Sequence, residues 1–252
     1  MTTPTWQLQT PIDAILFDCD GTLSTIEGID ELARKNGVED IVESLTAAAM
    51  GKLGMNPEVY QRRLDLVYPT QEQVLTLGHD YFAHKVPDLI EVIEVLKRFN
   101  KSIYIISAGL YPAVRIFAGL LKIPSQNIFA VPLEFDAQGL YLDFDRTSPL
   151  IHNDGKRNIV NQLKIQHPEM VYIGDGLNDL TVFDSVTRFI GYGGAFYREN
   201  IAAQCQYYIS SSSISPVLPL VLTKDEFEKL TPAELALYHR GLSAIQEEKV
   251  KV

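Results

Sequence analysis

Ala14-Ile15-Leu16-Phe17-Asp18-Cys19-Asp20-Gly21-Thr22 is the stretch that decides the fold. Four consecutive apolar residues read as a buried strand. Asp18 and Asp20 follow at its end on alternate positions, and along a strand such residues face the same way. Two like charges buried side by side are costly, so the pair implies a cation or a reaction that needs it. A second acidic cluster, Gly174-Asp175-Gly176-Leu177-Asn178-Asp179, follows another apolar run, Val171-Tyr172-Ile173. Two such strand ends meeting at one edge of a parallel sheet make a hard-cation site with a carboxylate to spare as nucleophile.

The rest of the chain alternates strand and helix. Residues 24 to 84 read as a small helical insertion: Ile29, Leu32 and Ala33 recur at helical spacing and Gly37 stops that helix. Further helical stretches run from Asp40 to Met50 and from Asn56 to Val67, and Thr70 with Gln73 forms a capping box for another. Beyond it, Pro87 opens a helix, Ser102 to Ile106 is a strand ending in Ser107-Ala108-Gly109, and Tyr111 to Lys122 is a helix. Val131–Phe135 and Leu140–Phe144 read as a hairpin. Ile159 to Leu163 is helical, and Arg188–Ile190 and Tyr207–Ile209 are strands, the latter the last. Two short C-terminal helices start at the capping boxes Thr223/Glu226 and Thr231/Glu234. The pattern predicts an α/β fold, a doubly wound parallel sheet, with a core domain of residues 1–23 and 85–252 and a cap domain of residues 24–84.

With 22 basic and 32 acidic residues the formal charge is −10, which argues against nucleic-acid and anionic-membrane partners. An anionic substrate remains compatible, because a divalent cation and a few placed Lys or Arg reverse the local field. Two cysteines without paired spacing, no secretory pattern at the N-terminus and no long apolar run predict a reducing, cytoplasmic setting. The five histidines show no zinc-ligand spacing.

In open α/β sheets ligands bind beyond the carboxyl ends of the strands, and Asp18, Asp20, Ser107 and Asp175 all sit just past predicted strand ends. A single strand-end aspartate is more often a turn residue; several at corresponding ends are not. Asp18 is placed to attack phosphorus, Asp20 to donate and then withdraw a proton, and carboxylates to hold Mg2+ against phosphate oxygens. Gly21 permits a sharp turn. Ser107 with the Ala108 and Gly109 backbone offers donors at the same edge, and Lys156 is placed to pair with both nucleophile and phosphate.

This ordered set, Asp18-Cys19-Asp20-Gly21-Thr22, Ser107, Lys156 and Gly174 to Asp179, resembles the four motifs of the haloacid dehalogenase superfamily. The resemblance implies Asp18 as nucleophile, Asp20 as general acid and base, and Ser107 and Lys156 as phosphate ligands. It implies magnesium held by Asp18, the Asp20 backbone carbonyl and Asp175, with Asn178 and Asp179 supporting. Glu27-Gly28-Ile29-Asp30-Glu31-Leu32-Ala33, Ala49-Met50-Gly51 and Arg63-Leu64 are similar to the helical cap of the phosphoserine phosphatase family, and Phe189 to Gly194 with Arg198 to its C-terminal part. That likeness spans Ile12 to Ile209. It implies Glu27 for a substrate ammonium, Arg63 for its carboxylate and Met50 in the pocket lining, in an enzyme of serine biosynthesis, with a homodimer as the open alternative to a single chain. Three departures stand out: Gly21 where the family usually has serine, Ala108 where it usually has glycine, and no aromatic near Met55-Asn56, so one pocket wall has changed. Residues 211–252 lie outside the resemblance. The reading is a Mg-dependent phosphomonoesterase acting on phosphoserine. A phosphatase or phosphotransferase for another small metabolite is the runner-up, and a silent metabolite-binding protein on the same fold the third reading.

Overall fold

The computed structural model describes residues 4–49 and 54–252. β1 (Ala14–Phe17) is fully buried and pairs in parallel with β2 (Ser102–Leu110) on one side and β6 (Met170–Gly174) on the other. Beyond them the sheet continues through β3 (Ile128–Val131) at one edge. On the other side come β7 (Arg188–Tyr192), β8 (Tyr207–Ile209) and β9 (Val250–Lys251), giving the order β3-β2-β1-β6-β7-β8-β9. All neighbours are parallel except β8 and β9. Chain direction across the sheet reverses between β1 and β6, and this is the switch point at which such sheets open a ligand crevice.

Register fixes what stands at that crevice. Phe17 is level with Ile105 and Ile173, and the Asp18 N–H donates to the Ile173 carbonyl at 2.9 Å. Asp18, Ser107 and Asp175 therefore emerge at nearly one height. Gly21 turns the chain away with φ +67°, and a Cβ there would press on the Asp175 carboxylate.

Among the described residues, four helices lie between β1 and the next core helix: α1 (Gly28–Lys35), α2 (Glu39–Ala48), α3 (Pro57–Val67) and α4 (Gln71–Ala83). Asn56 caps α3 by accepting the Val59 N–H, and Thr70 and Gln73 form the expected capping box of α4. α4 lies close on α6 (Tyr111–Leu120), where a Cβ on Gly78 would stand 2.6 Å from Ile116. The helix after the insertion, α5 (Leu89–Arg98), buries Leu89, Val92, Ile93 and Leu96, the predicted apolar face.

Several expectations are corrected. β2 does not end at Ile106 but runs to Leu110, with its register to β3 shifting across the segment that carries Ser107 to Gly109. The stretch that reads as one strand from Val131 is two elements, because Pro132 has no N–H to continue the ladder. β3 stops at Val131 in the main sheet, and β4 (Leu133–Phe135) pairs antiparallel with β5 (Tyr141–Phe144). α7 (Gly155–Leu163) starts at Gly155 rather than near Ile159, which places Lys156 in its first turn. β8 is not the last strand, since β9 follows it.

After α8 (Leu177–Leu180) and α9 (Glu199–Gln204), the C-terminal segment holds α10 (Val217–Val221), α11 (Lys224–Phe227) and α12 (Pro232–Gln246). Both predicted capping boxes form, but α12 runs for 15 residues and is not short. This segment clasps the core through Lys101–Glu226 (2.7 Å), Arg98–Glu234 (2.5 Å) and Asp88–Arg240 (2.8 Å).

Candidate active site

Lys156 is the hub of the site. It is almost wholly buried, with its Nζ 2.8 Å from Asp18 Oδ1 and 2.6 Å from Asp179 Oδ1. Burial alone would lower its ammonium pKa, but the Asp179 and Asp18 carboxylates overcome that and raise it, so the lysine stays charged. Asp18 moves the other way from an ordinary carboxylate. Burial pushes it well up and the Asp179 charge adds to this, against the pull of Lys156.

Asp20 leans toward the helices. Its Oδ1 accepts the Gly28 N–H (2.7 Å), at the start of α1, and the Tyr81 hydroxyl (2.6 Å) from α4. Its Oδ2 accepts the Ser107 hydroxyl at 3.2 Å, and Ser107 in turn accepts the Gly109 N–H at 2.8 Å. The insertion therefore does more than cover the site: two of its helices orient Asp20.

Asp18, Asp175 and Asp179 present carboxylate oxygens within 4.8 Å of one another, all buried. Asp179 is already satisfied. Its Oδ1 takes Lys156 and the Tyr172 hydroxyl (2.7 Å), and its Oδ2 takes the N–H groups of Asp175 and Gly176 (3.1 and 2.9 Å). Asp175 Oδ1, by contrast, is buried with no hydrogen-bond partner among the described residues. A buried, unpartnered carboxylate oxygen costs free energy unless a cation meets it. An all-oxygen set beside a carboxylate held up by burial suits a hard divalent cation. Asp18 and Asp175 are the side chains left to hold one.

The predicted substrate groups share one cavity with these. Asp18, Asp20, Glu27, Arg63, Ser107, Ala108, Gly109, Lys156 and Asn178 all line it. Burial, with the Asp20 charge adding, raises the Glu27 carboxyl to about 7, against the pull of Arg198. Arg63 is buried, and among the described residues its nitrogens meet only the Thr46 hydroxyl and the Met55 sulfur, each at 3.3 Å. Met55 forms part of the wall where an aromatic was expected. Asn178 is buried, and its side-chain oxygen has no partner among the described residues. Met50 lies outside the described residues.

Three residues at the site, Tyr81, Tyr172 and Tyr60, were missed by reasoning from sequence, and a fourth, Arg198, was named without a role. Tyr81 and Tyr172 sit on apolar faces and carry no mark there that separates them from core. Tyr60 lines the cavity from α3. Arg198 is marked only through the family resemblance; the structure sets its guanidinium against both the Asp175 carboxylate and Glu27, the latter at 3.3 Å.

The chain also has relatives among known proteins. The haloacid dehalogenase-like hydrolase family model matches residues 12–185. Phosphoserine phosphatases of Bos taurus and Homo sapiens are each 36% identical over 200 residues, covering 79% of this chain and 89% of theirs. The chloroplastic phosphoserine phosphatase of Arabidopsis thaliana is 34% identical over 79% of this chain and 68% of its own. A solved structure of a phospho-aspartyl intermediate analogue of phosphoserine phosphatase superposes with a TM-score of 0.74 at 25% identity, over 84% of this chain and all of that one.

Proposed function

The chain belongs to the haloacid dehalogenase-like hydrolases, in the phosphoserine phosphatase family, and on that premise we propose that it hydrolyses phosphoserine to serine and phosphate through an aspartyl phosphate on Asp18. The observation that carries this reading is the shared cavity: the phosphorus chemistry of Asp18, Asp20 and Lys156 opens onto the same space as Glu27 and Arg63. A carboxylate for an ammonium and a guanidinium for a carboxylate are the pairings an amino-acid phosphate needs.

In this proposal Asp18 Oδ attacks phosphorus, forming the acyl phosphate as the serine oxygen leaves. Asp20, held by Tyr81 and Gly28, gives that oxygen its proton, then takes one from the water that hydrolyses the acyl phosphate. Lys156 and Ser107, with the backbone of Ala108 and Gly109, bind phosphate oxygens and keep the nucleophile in place. Asp18, Asp175 and the Asp20 carbonyl would hold magnesium, which supplies charge neutralisation at the phosphate oxygens. Asp179 and Asn178 support that arrangement. Residues 24–84 serve as the cap that excludes water, and residues 1–23 with 85–252 as the catalytic core. The free, buried thiols of Cys19 and Cys205 agree with a reducing, cytoplasmic setting.

Arg63→Ala tests the substrate assignment. Losing a charged partner costs about 1.5–3 kcal/mol, so kcat/KM for phosphoserine falls about 10- to 150-fold. Hydrolysis of an aryl phosphate, which has no carboxylate, stays near wild type. Equal losses on both substrates would assign Arg63 to the reaction or the cap's structure; no loss on either would remove the phosphoserine reading and leave the broader phosphatase.

A further inference from the structure

We infer that the Tyr60 hydroxyl is a second donor to the substrate carboxylate, beside Arg63, and that the pair makes this pocket select an amino-acid phosphate over a simple amine phosphate; the inference rests on the phosphoserine reading above. Tyr60 and Arg63 stand three apart on α3 and so share a face. Both line the cavity together with Asp20 and Glu27. The Tyr60 ring is 3% exposed and is held against Phe144 of the β4–β5 hairpin, with centroids 5.0 Å apart. The Arg63 guanidinium carbon lies 5.7 Å from the Tyr60 ring centroid.

Two polar atoms on this wall, the Tyr60 hydroxyl and Arg63 Nε, are buried and have no hydrogen-bond partner among the described residues. Buried polar groups left unpaired are destabilising and rare, and at a cavity they mark where a ligand's complementary group belongs. Arg63 Nε can only donate and the Tyr60 hydroxyl can donate, so one acceptor group satisfies both. An anion with two oxygens on one carbon can meet a guanidinium and a neighbouring hydroxyl together. The phosphoryl group is not that anion, because Lys156 and Ser107 already define its place beside Asp18. Burial pushes the Tyr60 phenol far up, so it stays a donor at working pH. Tyr60 also supplies aromatic surface close to the wall where Met55 and Asn56 lack it, with a hydroxyl that a plain hydrocarbon ring could not offer.

The test compares wild type with Tyr60→Phe on phosphoserine and on phosphoethanolamine, which keeps the amine and lacks the carboxylate. The variant should raise KM for phosphoserine about tenfold with kcat little changed. Inhibition by the product serine should weaken by a similar factor, and kinetics on phosphoethanolamine should not move. Because the hydroxyl has no partner among the described residues, the variant should melt no lower than wild type. An unchanged KM for phosphoserine, or equal losses on both substrates, overturns the role of Tyr60 while leaving the phosphoserine reading in place. If wild type itself shows no preference for phosphoserine over phosphoethanolamine, the phosphoserine reading fails and takes this inference with it.

Discussion

Asp18 carries the largest claim at the scale of single residues. It stands at the end of a fully buried strand, 2.8 Å from a lysine that neutralises only part of its surroundings. Asp18→Asn keeps the shape but replaces a nucleophilic oxygen with an amide, so turnover should vanish while circular dichroism and melting remain those of a folded protein. Asp20→Asn should lose proton transfer, on the order of 10² to 10⁴ in kcat. Glu27 adds a pH dependence with a definite sign. Its carboxyl is raised to about 7, chiefly by burial, so it is neutral below that pH and charged above. Only the charged form attracts an ammonium. kcat/KM for phosphoserine should therefore fall as pH drops through about 7, with Glu27→Gln removing that limb of the profile. An identical limb in the Gln variant would assign the titration to another group.

At the scale of elements, the helical insertion and the sheet act on the same carboxylate. Gly28 at the start of α1 and Tyr81 in α4 both donate to Asp20 Oδ1. Tyr81→Phe should therefore slow phosphoserine and aryl phosphate hydrolysis together, whereas Arg63→Ala separates them; steady-state kinetics on both substrates decide it. This coupling also shows what was legible in the sequence. Strand-end carboxylates were legible because apolar runs locate β1 and β6, and parallel pairing brings their ends level. Capping boxes at Thr70, Thr223 and Thr231 were legible because the bonds that form them span only three residues. Tyr81 and Tyr172 were not, because a tyrosine on an apolar face looks the same whether its hydroxyl meets a buried carboxylate or nothing. β9 was not, because a two-residue strand has no period to read and owes its place to the edge of β8. The extent of β2 past Ser107 was hidden by Ala108-Gly109, which reads as a turn.

At the scale of the whole molecule, the C-terminal segment outside the family resemblance is tied to the core by a buried ion pair. Lys101, 3% exposed, meets Glu226 at 2.7 Å and the Ile12 carbonyl at 3.2 Å. Removing one partner strands the other's charge in the interior, at a cost of about 3–5 kcal/mol. Glu226→Ala should therefore lower the melting temperature by roughly 6–20 °C, and adding Lys101→Met should restore part of it. The active site lies at the far end of β1 from Ile12, so kcat at low temperature should change little. All these parts serve one claim, that phosphoserine is cleaved through a covalent phosphate on Asp18. The direct measurement is to mix the protein with phosphoserine radiolabelled in phosphorus, quench in acid within one turnover, and map the label by peptide. The account predicts an alkali-labile acyl phosphate on Asp18, more abundant in Asp20→Asn if its breakdown is slowed more than its formation, and absent in Asp18→Asn. Wild-type turnover of phosphoserine with no label on Asp18 would contradict it.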